Sequence, residues 1–429
     1  MTPQANFMVA AAIAPEREDA LRALLATMNL RSGVVDSQNP LFPFGRFERL
    51  HVARFVVLRD ETVGDFAAIG EAVPDFPVWL VFLGDCDGDA KTLLAEFATE
   101  AGAGLRRIFS HCTDLAADAD LLRWMQNHFV SPAASYVNWV GRTVVRIREE
   151  AALHAALRAV PAEDSAATTD PSPIAVRARL IAHVRRNGPA LTLPAPTPWR
   201  WRASELLNLV GLPLALLALT PVLLIYAPIF LWQLRRRENA DPVIAPRPKP
   251  AHVSALSTIE DHDVSNQFSS FGSVKPGRFR LWTLIFLFWV LDFSTRHIYT
   301  RGRLARVGTI HFARWVFLDG KRRVFFASNY DGSLDSYMDD FINKVAYGLN
   351  LVFSNGVGFP KTNFLLFGGA QNELQFKYFL RGHQIPTQVW YKAYPGLTAA
   401  DLATNTQIRE GVERRNVTEA EARQWLALI

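Results

Sequence analysis

Leu50-His51-Val52-Ala53-Arg54-Phe55-Val56, near the start of the chain, returns as Ile310-His311-Phe312-Ala313-Arg314-Trp315-Val316 in its last third. Around this pair the matches stay collinear. Asn6-Phe7 through Ala14-Pro15 corresponds to Gln267-Phe268 through Lys275-Pro276, and the two histidines lie 311 − 51 = 260 positions apart. Asp87-Gly88 answers to Asp331-Gly332, and Leu94-Ala95-Glu96-Phe97 to Met338-Asp339-Asp340-Phe341, both at a spacing of 331 − 87 = 244. Gly104 to Ser110 matches Gly348 to Ser354 at that same spacing. The copies also close alike, with His128, Pro132 and Gly141-Arg142-Thr143 against His383, Pro386 and Gly396-Leu397-Thr398. Short matches arise by chance, but collinear ones at nearly constant spacing mark an internal duplication.

Each copy reads as strand, helix, strand, strand, helix, strand. Phe7 to Ile13 is an apolar run that Pro15 ends, and Glu16 to Met28 places Leu21, Leu24 and Leu25 at helical spacing. Arg49 to Leu58 and Val78 to Leu83 are rich in Val and Phe and predict strands. Leu93 to Phe97 predicts a second helix and Leu105 to Ser110 a fourth strand. In the second copy Asp319-Gly320 lies between apolar runs, which suits a tight primed turn. This β-α-β-β-α-β order resembles the ferredoxin-like arrangement. Two such units in one chain resemble the dimeric α/β-barrel superfamily. The expected fold class is therefore α+β, with two ferredoxin-like repeats, 1–160 and 263–429, paired as an α/β barrel.

Between the repeats lies a segment suited to lipid. Leu206 to Leu234 carries no charged side chain, and as a straight helix would run ~43 Å. A hydrocarbon core is about 30 Å thick. Pro213, Pro221 and Pro228 interrupt it, and both flanks are basic and aromatic: Trp199-Arg200-Trp201-Arg202 before, Trp232 and Arg235-Arg236-Arg237 after. A single crossing would separate the repeats, and positive charge at both ends fits one crossing poorly. The segment 204–237 is therefore expected to be a re-entrant hairpin breaking near Thr220-Pro221, with two full spans as the alternative. The apolar run Leu281 to Phe293, inside 278–299, corresponds to the first helix of copy one, and its cationic ends predict a helix at the lipid surface. Flexible or Pro-rich joins are expected at 162–173 and 238–262, and 161–203 includes a short basic helix carrying Arg177, Arg179, Arg185 and Arg186. That helix reads either as lipid-binding or as a solvated cationic face.

Composition agrees with a membrane-contacting chain: 49% of the residues are hydrophobic, and 29 Phe and 11 Trp are present. Net charge is only +5, and most basic clusters border apolar stretches, which favours lipid headgroups and excludes nucleic acid as the expected partner. Two cysteines, Cys86 and Cys112, predict free thiols and a reducing compartment. No basic leader precedes Phe7 to Ala14, so the expected location is the cytoplasmic face of the inner membrane.

The chemistry candidates are few. His311 and Arg314, like His51 and Arg54, lie on a strand and are expected on opposite faces. They read either as polar ligand contacts in the barrel or as buried groups repeated with the scaffold. Gly84-Asp85-Cys86-Asp87-Gly88 and Ser328-Asn329-Tyr330-Asp331-Gly332 resemble the Gly-x-x-Asp-Gly loop of dye-decolourising peroxidases. That resemblance implies haem, with Asp331 and Arg314 as the distal pair and His383 or His311 as axial ligand. Ser328 departs from the first Gly, and Asp331 alternatively caps the following helix. Asn329, Asn355, Trp390 and Tyr391, with Gly-rich turns around them, are candidate ligand contacts in the second repeat. No metal-ligand spacing, phosphate loop or nucleophile elbow is present. The function expected is to hold a hydrophobic or lipid-like small molecule at the membrane, with redox chemistry, a haem peroxidase-like activity and a non-catalytic scaffold as alternatives.

Overall fold

The computed structural model describes residues 1–160 and 172–429. The flexible join at 162–173 lies outside the described residues as far as residue 171. The first half contains β1 (Gln4–Ala12), α1 (Glu18–Ala26), β2 (Leu50–Leu58), β3 (Trp79–Asp87), α2 (Ala90–Glu100), α3 (Gly102–Phe109), β4 (Ala134–Val137) and α4 (Val144–Arg158). Then come α5 (Pro173–Asn187) and α6 (Trp199–Ala240). The second half contains β5 (Ser265–Ser273), α7 (Arg278–His297), β6 (Ile310–Leu318), β7 (Arg323–Asp331), α8 (Leu334–Phe353), α9 (Glu373–His383), β8 (Thr387–Lys392), α10 (Ala399–Glu413) and α11 (Glu419–Leu426). The class is α+β.

The duplication extends to irregularities. Ala101, with φ −123°, separates α2 from α3, and Val345, with φ −145°, kinks α8 at a distance of 345 − 101 = 244 residues. Leu105 to Ser110 is not the expected fourth strand. It lies in α3 and its C-cap, because Leu105, Ile108 and Phe109 stand at i, i+3 and i+4 and all three are fully buried. Its counterpart, Leu349 to Ser354, is likewise the end of α8 and its C-cap.

The fourth strand of each sheet comes instead from the other half. The two antiparallel sheets have the orders β1-β3-β2-β8 and β5-β7-β6-β4. In the first half, the His128 carbonyl accepts the Ala10 N–H and the Val130 N–H binds the Met8 carbonyl, so the chain first flanks β1. Pro132 follows, and β4 then pairs with β6. In the second half Gln384 bridges Ser270 and the Ile385 N–H binds the Ser269 carbonyl before Pro386, after which β8 pairs with β2. A proline offers no ladder N–H, so each crossover ends pairing on one sheet before it begins on the other.

The expected closed barrel does not form. Each exchanged strand is four or six residues long and joins one sheet only, so no ladder runs from sheet to sheet. The sheets face each other across Met8, Val56, Val81, Phe271, Val316 and Phe325. Helices α4, α5, α10 and α11 build a separate cluster around Leu153, Ile181, Ile408 and Trp425. Arg177 of the basic α5 is buried there and donates to the Gly411 and Arg414 carbonyls, while Arg185 and Arg186 are exposed.

The re-entrant break expected near Thr220-Pro221 is absent: α6 is one helix of 42 residues through Pro213, Pro221 and Pro228. The Thr220 hydroxyl bonds the Leu216 carbonyl one turn back in the same helix. The helix is long and apolar enough to cross a membrane, and its most apolar window is not buried. Near its start, Glu205 pairs with Arg296 and Asn208 bonds His297 at the end of α7. Near its end, Phe230 and Arg237 lie against Phe279, and Asp241 binds Lys275 and Arg280. Thus α6 runs antiparallel to α7, with both ends tied to one body. Beside it α7 buries Leu284 and Phe288 but exposes Trp282, Phe286 and Trp289 at i, i+4 and i+7.

Candidate functional site

Two polar arrangements occupy the space between the sheets, and each occurs twice. His51 and Arg54 share the inter-sheet face, as do His311 and Arg314, contrary to strict strand alternation. A β-bulge at each histidine, between Leu50 and Val52 and between Ile310 and Phe312, shifts the parity by one. Arg54 reaches across to the Phe268 and Ser328 carbonyls at 2.9 Å each and to Asn329 Oδ1. Arg314 reciprocates to the Phe7 and Gly84 carbonyls at 2.8 and 3.0 Å and pairs with Asp85 at 2.5 Å. Burial, then the charge of Arg314, pushes Arg54 down to about 9. Burial raises the Asp85 carboxyl in spite of Arg314.

The histidines pair with the Asp-Gly aspartates. His51 Nε2 lies 3.0 Å from Asp87 Oδ1, and His311 Nε2 lies 2.7 Å from Asp331 Oδ1. The second oxygens accept the Val144 and Ala399 amides, at the starts of α4 and α10. Each aspartate therefore joins a strand end to a helix of the shared cluster. Burial lowers the His311 pKa against the pull of Asp331. Burial alone would raise the Asp331 carboxyl, but hydrogen bonds from His311, Ser265 and Ala399 overcome it and hold it below the ordinary carboxylate value. The pair is a neutral imidazole donating to a carboxylate.

The constellation implied by the peroxidase resemblance does not assemble. Asp331 is committed to His311, Ser265 and the Ala399 amide, while Arg314 points at the opposite sheet. His383 is elsewhere: its Nδ1 bonds the Phe379 carbonyl, and it borders a cavity of about 130 Å³ with Asp65 and His252. A cavity of that size holds at most a single ring, and His311 Nε2 is already occupied. The residues do not fit a haem. Of the four ligand candidates, Asn329 and Trp390 meet on Arg54, whereas Tyr391 and Asn355 have other surroundings. Asn329 takes Arg54, and Trp390 lies under the Arg54 guanidinium at 4.9 Å. Tyr391 stacks on Phe44 at 5.1 Å, and Asn355 is fully buried with neither amide atom partnered.

The halves differ on the outer face of each sheet. In the first half Phe42 comes from the Phe-rich segment before β2 and packs against Phe55, Phe82 and Phe97, with centroids 6.4, 5.2 and 4.9 Å away. The repeat equates those three with Trp315, Phe326 and Phe341 (55 + 260, 82 + 244 and 97 + 244). All three line a cavity of about 180 Å³ between α7, α8 and the second sheet. Where the first half has residues 27–49 between helix and strand, the second has only 298–309, and no equivalent of Phe42 fills the space. The lining includes Ala313, Leu291, Tyr299 and Met338 and contains no acidic, basic or thiol side chain. Of its polar groups, Tyr337 bonds Ser328 and Ser294 bonds the Val290 carbonyl, whereas the buried Trp315 Nε1 has no acceptor. Sequence reasoning missed this site. Its one signal was the absence, in the second copy, of the run Phe42-Pro43-Phe44-Gly45-Arg46-Phe47.

No family model, curated protein or solved structure matches this chain.

Proposed function

We propose that this chain is a membrane-held binding protein whose second repeat takes an apolar molecule of about ring size. The observation that carries this reading is the cavity itself: it lies where the first repeat is filled by Phe42. A dry cavity of ~150 Å³ lined by apolar side chains is enough to bind benzene. The reading is of binding, because the lining provides no acid, base or nucleophile beyond hydroxyls.

In this reading the units are ferredoxin-like repeats with exchanged fourth strands, a view supported by the β-α-β-β-α order that both halves share. The helix α6 lies lengthwise in one leaflet, on the cytoplasmic face of the inner membrane. Its ties to α7 at both ends and its two basic flanks support immersion without crossing. The aromatic stripe of α7 then meets the same leaflet, and α7 also walls the cavity, giving a lipid-soluble ligand a short route.

Native mass spectrometry of detergent-purified protein tests the reading. A co-purifying small molecule, or uptake of toluene or acetophenone, is expected. Ala313→Leu, which fills the cavity, is expected to abolish that uptake. A wild-type chain that takes up neither compound and carries no adduct would refute the proposal.

A further inference from the structure

We propose that the hairpin at Thr362–Gly368 is a lipid-inserting finger that fixes the depth of the body at an anionic bilayer. The inference rests on the membrane reading of α6. In this hairpin Thr362 and Asn363 pair with Gly368 and Phe367, and the Leu366 N–H bonds the Asn363 carbonyl. The two central residues, Phe364 and Leu365, have φ of 54° and 60°. Positive φ at both positions is the requirement of a type I′ turn, where Asn-Gly is the usual choice. For side chains such as Phe and Leu it costs roughly 1–2 kcal/mol per residue.

Two buried polar side chains hold that turn. Glu238, in the last turn of α6 and 1% exposed, accepts the Phe364 and Leu365 amides at 2.9 Å each and the Thr362 hydroxyl at 2.8 Å. Asn350, fully buried in α8, donates to the Leu366 and Gly368 carbonyls and accepts the Ala370 amide. The arrangement keeps Leu365 inside and leaves Phe364, Leu366 and Phe367 exposed, by 44%, 39% and 60%. Strained backbone held rigidly so as to present apolar side chains outward points to an external apolar partner.

The partner follows from what surrounds the finger. Glu238 lies 238 − 232 = 6 residues beyond Trp232, or ~9 Å along the helix. The finger is therefore joined to α6 where that helix leaves its apolar stretch. Arg235 donates to the Thr362 carbonyl and stands 5.2 Å from the Phe364 ring, and Lys361 bonds the Asn239 carbonyl. Arg236 lies over the Trp232 ring and Arg237 against Phe279, on the α6 side of the finger. Apolar tips flanked by Arg235, which also pairs with Glu238, and by Lys361 match a leaflet of anionic phospholipid, with the tips at the acyl boundary and the cations among phosphates.

The test uses the full chain in phosphatidylcholine vesicles with and without phosphatidylglycerol, carrying one nitroxide at Phe367→Cys or at Leu217→Cys in mid-α6. Both native thiols are buried and do not compete for label. At position 367 the expected result is loss of access to a water-soluble nickel chelate and gain of access to oxygen, strengthened by phosphatidylglycerol. In Glu238→Gln the label at 367 is expected to become more mobile and to regain nickel access, while position 217 is unchanged. A nickel-accessible 367 beside an oxygen-accessible 217 overturns the finger and leaves the membrane reading standing. A nickel-accessible 217 overturns the membrane reading itself.

Discussion

Ala53 and Ala313 occupy equivalent places on β2 and β6, 260 residues apart, yet leucine is expected to have opposite effects at the two. Ala313 lines the cavity of about 180 Å³, whereas Ala53 is 1% exposed within the Phe-packed core of the first half. Ala313→Leu adds three carbons to empty apolar space. At ~0.8 kcal/mol per buried carbon this is ~2.4 kcal/mol, less ~0.5–1 kcal/mol for the lost rotamer freedom of leucine. The net expectation is a gain of ~1.5 kcal/mol, or a few degrees in melting temperature, with loss of any bound ligand. Ala53→Leu has no such space and is expected to cost ~1–3 kcal/mol through overpacking. Thermal melts of both variants in one detergent, with native mass spectra of each, supply the comparison. Destabilisation of similar size at both positions would show that the second half has no usable cavity, and the binding proposal would fall with it.

The two inter-sheet arginines differ in partner, and their removal should differ too. Arg314→Met leaves buried Asp85 unpaired and is expected to cost ~3–5 kcal/mol; Arg54→Met strands carbonyls but relieves repulsion from Arg314, so it should cost less, as chemical denaturation would show. His311 and Asp331 both have folded pKa values below their ordinary ones, so the unfolded chain binds more protons. Their contribution is full above the unfolded histidine value of about 6.5 and declines as pH falls, first through His311 and then through Asp331. His311→Gln is expected to flatten the upper part of that decline in melts between neutral and mildly acidic pH, and an unchanged slope would contradict the assignment. Burial pushes the Cys86 and Cys112 thiols up to about 12, so neither should react with a thiol reagent until the protein unfolds.

Much of the architecture was legible because repetition records geometry. The nine-residue strands β1, β2 and β3 recur as β5, β6 and β7, and even the helix break at Ala101 has its copy. The exchanged strands were less visible. At four and six residues, β4 and β8 lack a long alternating pattern, and strand exchange is a choice of partner that no local pattern encodes. The error at Leu105 to Ser110 had a local remedy, since its buried positions are helical in period. The cavity was illegible for another reason: it is made by residues that are missing. His311 and Asp331 could be named from sequence, but the bulge that turns each histidine inward appears only in the pairing register.

The strand exchange also sets a schedule for synthesis. The open edge of β2 is complete at Leu58, but its partner β8 ends at Lys392, 392 − 58 = 334 residues later. At ~5–20 residues per second that interval lasts roughly 20–70 s. For most of it the first sheet has three strands and an unpaired edge, and α6 leaves the ribosome before β5, β6 and β7 of the second sheet exist. On the proposed membrane reading, α6 engages the bilayer before either sheet is complete. The nascent first half must wait, with its edge protected, for the last sixth of the chain to arrive.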